Sequence, residues 1–141
     1  MASVAPPIGT APSYDGAAAP RAGALGVRRL VLAHLWLAFS TFAVASVFGA
    51  WQMWARSPLA APAHTAENYF QSVTLHGVIM GYVLTTFFVM GFGYYVAETA
   101  LKRPLPGFGL AWTAFWMGVV GVVMAALAIL SGSASVLYTF Y

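Results

Sequence analysis

Three histidines, at positions 34, 64 and 76, carry most of the chemistry open to this chain. Cysteine is absent, which excludes disulfides, zinc–thiolate sites, iron–sulfur clusters and thiol nucleophiles. The carboxylates Asp15, Glu67 and Glu98 all lie outside the long apolar runs, so no Ser/His/Asp set shares a level. His76 is the informative histidine. It sits in Thr74-Leu75-His76-Gly77-Val78, inside a long run without charge. A polar ring in such a run costs free energy unless it has a partner, and it marks a functional site by default. Imidazole is also a common axial ligand of haem iron. Gly77 and Gly81 leave room beside the ring, which a flat macrocycle would need. The competing reading is a histidine hydrogen-bonded to a neighbouring helix, and position and glycines leave both open. A ring-nitrogen partner would orient His76, either a nearby backbone carbonyl or Ser72.

The other two histidines fit that chemistry less well. His34 falls near the start of a different apolar run, at the opposite side, about 18 Å from the level of His76. Two axial ligands must converge on one iron, so His34 reads as an interfacial histidine. His64 follows Pro58 and Pro62 in a connecting segment and reads as a solvated loop residue. The sequence therefore offers one good ligand and no good partner. The residues that would complete a site are expected elsewhere.

Long apolar elements must hold His76 in place. The chain has 141 residues, 61% hydrophobic and 6% charged. An ordinary soluble domain carries roughly 25% charged residues. Six basic and three acidic side chains cannot coat a water-facing surface of this size. That excludes a soluble enzyme and a nucleic-acid binder with a basic face. Three windows, 30–53, 72–96 and 110–130, contain no charge. Each reaches the roughly 20 residues that cross a hydrocarbon core as a helix. Only a helix satisfies its own backbone within one such segment. The expected fold is all-α, an integral membrane protein with three transmembrane helices that form the N-terminal part of a larger helical bundle.

Residues 1–27, rich in Ala, Pro and Gly, read as a flexible cytoplasmic tail, and 28–141 as the membrane domain. Arg21, Arg28 and Arg29 precede the first span, and Lys102 and Arg103 separate the second from the third. The positive-inside rule then puts the N-terminus in the cytoplasm and the end of the chain outside. Trp51, Trp54, Tyr69 and Phe70 would mark the outer interface, and Tyr94, Tyr95 and Trp112 the inner one. Helices in lipid pack through small residues. Ala45 with Gly49, Gly77 with Gly81, Ala114 with Gly118, and Gly121 with Ala125 supply such pairs.

The run from Tyr69 to Val96, with T-L-H-G-V at its core, resembles the second transmembrane helix of subunit I of the haem–copper oxidases. Phe48-Gly49-x-x-Gln52 and the ending Val136-Leu137-Tyr138-Thr139-Phe140-Tyr141 are most similar to the B-type (ba-type) cytochrome c oxidases. The resemblance covers 30–141. Gly91-Phe92-Gly93 followed by Tyr94-Tyr95 departs from the A-type pattern.

This resemblance implies that His76 is an axial ligand of a low-spin haem b. It implies that Gly49, Gln52 and Gly77 belong to the haem pocket and that Tyr138 lies beside the oxygen channel. The second axial histidine, the high-spin haem and the copper would belong to later helices, which makes this chain an N-terminal fragment without a complete active site. The implied activity is that of a terminal respiratory oxidase, a cytochrome c oxidase that reduces oxygen to water with proton translocation in a bacterial inner membrane. The implied partners are the remaining helices of subunit I, oxidase subunit II, cytochrome c or a similar electron donor, and membrane lipid; no nucleic acid is expected. The alternatives are a small three-helix accessory or assembly protein without a redox centre, a small haem protein ligated by His76 and His64, and a nitric oxide reductase-like or quinol-oxidising relative.

Overall fold

The computed structural model describes residues 22–60, 65–102 and 106–134. Three long helices run through them: α1 (Ala22–Ala55), α2 (Ala66–Leu101) and α3 (Phe108–Leu130). No strand occurs among the described residues. All three helices are long and apolar enough to cross a membrane.

Local chemistry sets the ends. Pro58 disfavours helix at Ser57, and after α1 the chain tightens into a 3₁₀ turn, Pro58–Ala60. Thr65 caps α2 by accepting the Asn68 N–H at 3.2 Å, and Glu67 in the first turn suits the positive end of the helix dipole. At the other end of α2, Lys102 adopts the left-handed conformation (φ 50°) and donates its N–H to the Glu98 carbonyl at 3.1 Å. Gly107 opens α3 at φ 74°, a backbone that only glycine adopts freely.

Each helix contains its expected window and overruns it. A charge-free window ends where charges begin, whereas backbone hydrogen bonding continues into an interface that tolerates Arg28, Arg29 and Glu98. Residues 22–27, read from sequence as tail, form the first turns of α1, and Val27 is only 2% exposed. A Cβ on Gly26 would meet the Phe108 ring at 3.0 Å, so the start of α1 packs against the start of α3. The rest of the expected tail, 1–21, lies outside the described residues.

The core runs along the helix crossings. Leu30, Ala38 and Ala45 of α1 meet Leu75, Ile79, Val83 and Phe87 of α2, with Phe115 and Ile129 of α3. Close approach follows small residues at some expected places and not at others. Ala45 is fully buried, and Gly118 leaves space for Phe87, whose ring lies 2.9 Å from where a Cβ would stand. Gly81 and Gly121 face open space instead. α3 is the loosest helix, with 11% of its apolar window buried against 28% for α1. An apolar cavity of about 320 Å³ remains between α3 and the α1–α2 pair, lined by Phe48, Leu75, Ile79, Val122 and Ile129 among others.

One irregularity interrupts α2. Ile79–Leu84, directly after His76-Gly77-Val78, winds as a π turn between the α-helical stretches Ala66–Val78 and Thr85–Leu101.

Candidate functional site

His76 lies ten residues into α2, half-buried against α1. Its Nδ1 stands 2.8 Å from the carbonyl oxygen of Ala45. A carbonyl only accepts, so Nδ1 carries the proton and donates. In the neutral ring the other nitrogen, Nε2, then keeps its lone pair. The bond to a neighbouring helix is what the competing sequence reading expects, and it would equally orient a ring whose other nitrogen held a metal.

Gly49 makes that approach possible. A Cβ at Gly49 would lie 3.0 Å from His76 Cε1 and 3.4 Å from Nδ1. Ala45 and Gly49 are four apart and share a helix face. One supplies the acceptor and the other the clearance.

Gln52 extends the clasp by one turn. It is 7% exposed, and its Nε2 donates to the Ser72 carbonyl at 3.0 Å. In an α-helix that carbonyl also accepts from residue 76, so the amide of Gln52 grips the turn that carries the imidazole. Beyond Gln52, Arg56 sits over the Tyr69 ring at 5.7 Å, and Trp51 packs 6.4 Å from the same ring. These contacts close one end of the α1–α2 pair.

Ser72 is not the ring partner of His76. Its hydroxyl donates to the Tyr69 carbonyl at 2.7 Å within its own helix. The backbone-carbonyl alternative is the one observed, and no side-chain pattern could have located it, because every residue carries a carbonyl.

His34 is 3% exposed, enclosed by Phe87, Tyr94 and Phe115 with ring centroids 5.7, 5.4 and 4.8 Å away. Its Nδ1 bonds the Leu30 carbonyl of its own helix at 2.9 Å. A Cβ on Gly91 would stand 2.9 Å from His34 Cβ. Gly91 lies fifteen residues beyond His76, about 22 Å along the helix. His34 and His76 therefore cannot share one iron.

The structure thus brings His76, Gly49 and Gln52 together. Gly77 is half-buried beside them. His64 and Tyr138 lie outside the described residues.

Residues 29–141 match the protein family described as "Cytochrome C and Quinol oxidase polypeptide I". Cytochrome c oxidase subunit 1 of Thermus thermophilus is 41% identical over 75 residues, which is 53% of this chain and 13% of the relative. The chain therefore spans a small part of the length of the curated protein it matches. No solved structure matches.

Proposed function

The chain belongs to the cytochrome c and quinol oxidase polypeptide I family, and from that membership we propose that it is part of the catalytic subunit of a terminal respiratory oxidase, in which His76 supplies one axial ligand of a low-spin haem b. The observation that carries the reading is the His76–Ala45 bond at 2.8 Å, which fixes the tautomer a ligand needs.

The residues present fit such a group. His76 would hold the iron through Nε2. Gly49 keeps the ring free of a Cβ, and Gln52 holds the preceding turn. When bound, the haem supplies a one-electron carrier whose potential depends on its ligands, its burial and the hydrogen bonds made to those ligands. The Ala45 carbonyl accepts the Nδ1 proton and leaves Nε2 as the nitrogen that would face the iron. It also prevents the ring from rotating about its Cα–Cβ and Cβ–Cγ bonds, which preorganises the ligand without help from substrate.

The finer reading extends to subtype and surroundings. Phe48-Gly49-x-x-Gln52 and the Gly91-Phe92-Gly93-Tyr94-Tyr95 run support a B-type cytochrome c oxidase that reduces oxygen to water with proton translocation. Tyr138 would line the oxygen channel, and Gly77 the haem pocket. The high-spin haem, copper and second histidine would come from further helices of subunit I, with subunit II and cytochrome c or a similar donor as partners. In a bacterial inner membrane, Arg28 and Arg29 would favour the cytoplasmic side for the start of α1. Reporter fusions at Arg21 and Tyr141 test this, and are expected to report inside and outside respectively.

The decisive measurement is the absorbance of the full-length protein. His76→Ala is expected to abolish the low-spin haem b bands. Unchanged Soret absorption in that variant would overturn the proposal.

A further inference from the structure

Five residues of α2 at intervals of four, Leu75, Ile79, Val83, Phe87 and Gly91, are all buried. A regular α-helix cannot keep such a row on one face. Each step of four overshoots a full turn by about 40°, so the row would drift by about 160° between Leu75 and Gly91. A π turn accommodates one extra residue and takes back about 100° of that drift. The π turn Ile79–Leu84 lies in the middle of the row.

Both ends of the row are anchored on α1. Near the upper end, His76 bonds Ala45 and lies against Gly49. At the lower end, a Cβ on Gly91 would stand 2.9 Å from His34 Cβ and 3.4 Å from the Val31 carbonyl. Neither anchor tolerates rotation. The first would lose its hydrogen bond, and the second would drive a side chain into α1.

Thr85 closes the wide turn. Its backbone N–H donates to the Tyr82 carbonyl, and its hydroxyl donates to the Met80 carbonyl, five residues back, at 3.1 Å. Elsewhere in these helices Thr hydroxyls bond the carbonyl four residues back, as Thr99 does to Tyr95, so the five-residue reach at Thr85 belongs to the wide turn and gives it a hydrogen bond in an apolar setting. Thr85 is itself exposed and takes no part in the core.

We propose that the π turn Ile79–Leu84, closed by the Thr85 hydroxyl on the Met80 carbonyl, sets the rotation of His76 against α1, and that Thr85 is a positioning residue for the ligand. The clause about the ligand rests on the haem reading of His76; the rotation itself does not. Deleting Gly81 removes the extra residue at an exposed position where a Cβ would meet nothing within 4 Å. Gly81→Ala keeps the residue count and serves as the control.

The test uses the full-length protein with two readouts. The first is low-spin haem absorbance. The second is short-span thiol cross-linking of two pairs, Gln52→Cys with Ser72→Cys and His34→Cys with Gly91→Cys, in a sequence that has no cysteine of its own over these 141 residues. In the unmodified and Gly81→Ala backgrounds both pairs are expected to cross-link. With Gly81 deleted, at least one pair is expected to fail and more than half of the haem band to disappear. Both cross-links at full yield with Gly81 deleted would overturn the proposal. If the deletion yields no folded protein, Thr85→Val is expected to shift the haem band or midpoint potential and Thr85→Ser to restore it. Spectra and potentials identical in all three would likewise overturn it. Retention of haem in His76→Ala would remove the ligand reading alone, and the cross-links would still decide the rotation.

Discussion

Two imidazoles, one buried and one half-buried, sit along the same α1–α2 seam and use the same atom differently. His34 gives its Nδ1 bond to Leu30, four residues back on its own helix. His76 directs the equivalent bond to Ala45, across the crossing. The first bond would survive if the helices separated, but the second exists only in the packed pair. Around His34 the neighbours are aromatic rings from α2 and α3. Around His76 the α1 neighbours are a glycine and a bare carbonyl. A ring enclosed by rings is a packing unit. A ring oriented from one side by a backbone carbonyl, with a glycine beside it, is the arrangement on which the proposed ligand role of His76 rests.

Breaking this contrast gives the largest expected effect. His76→Ala should remove the low-spin haem spectrum, whereas His34→Phe should leave it intact, because an aromatic ring of similar size keeps the contacts with Phe87 and Phe115. Absorbance of the two purified variants checks both. Loss of the spectrum in His34→Phe would erase the distinction.

The glycines facing each ring come next. Gly49→Val and Gly91→Val each force a branched side chain into an imidazole or its stem, and overpacking of this kind costs about 1–3 kcal/mol. Both should lower the thermal midpoint of the full-length protein in detergent. Only Gly49→Val should also shift the haem bands, since only Gly49 lies against His76.

A smaller effect is expected at the clasp. Gln52→Ala removes one interhelical hydrogen bond, worth about 1 kcal/mol by general experience with such bonds. The Ser72 carbonyl keeps its partner within α2, so the loss should stay at that size. A modest decrease in thermal midpoint with retained haem content is the expected result. The smallest effect belongs to Gly121→Ala, where a Cβ meets nothing within 4 Å, with a change within about 0.5 kcal/mol.

Membrane insertion was legible from composition, because apolar runs and charge placement act locally and leave a direct trace in the order of residues. His76 stood out for the same reason, as a polar ring where charges are absent. Gly49 was legible as a small packing partner of Ala45, but as pocket residues Gly49 and Gln52 entered only through resemblance. The interval of four from Leu75 to Gly91 is present in the sequence. Its meaning depends on knowing that both ends touch the same partner.

By itself, then, the sequence determined three apolar helices and the two imidazoles among them, because hydropathy and side-chain polarity are properties of single segments. Tertiary structure alone decided which carbonyl holds His76 and why α2 leaves the α-helical pitch. Backbone carbonyls are chemically identical along the chain, and only the crossing of α1 and α2 singles out the one at Ala45. Rotational phase between two halves of a helix likewise has no consequence until a second helix must be met at both ends.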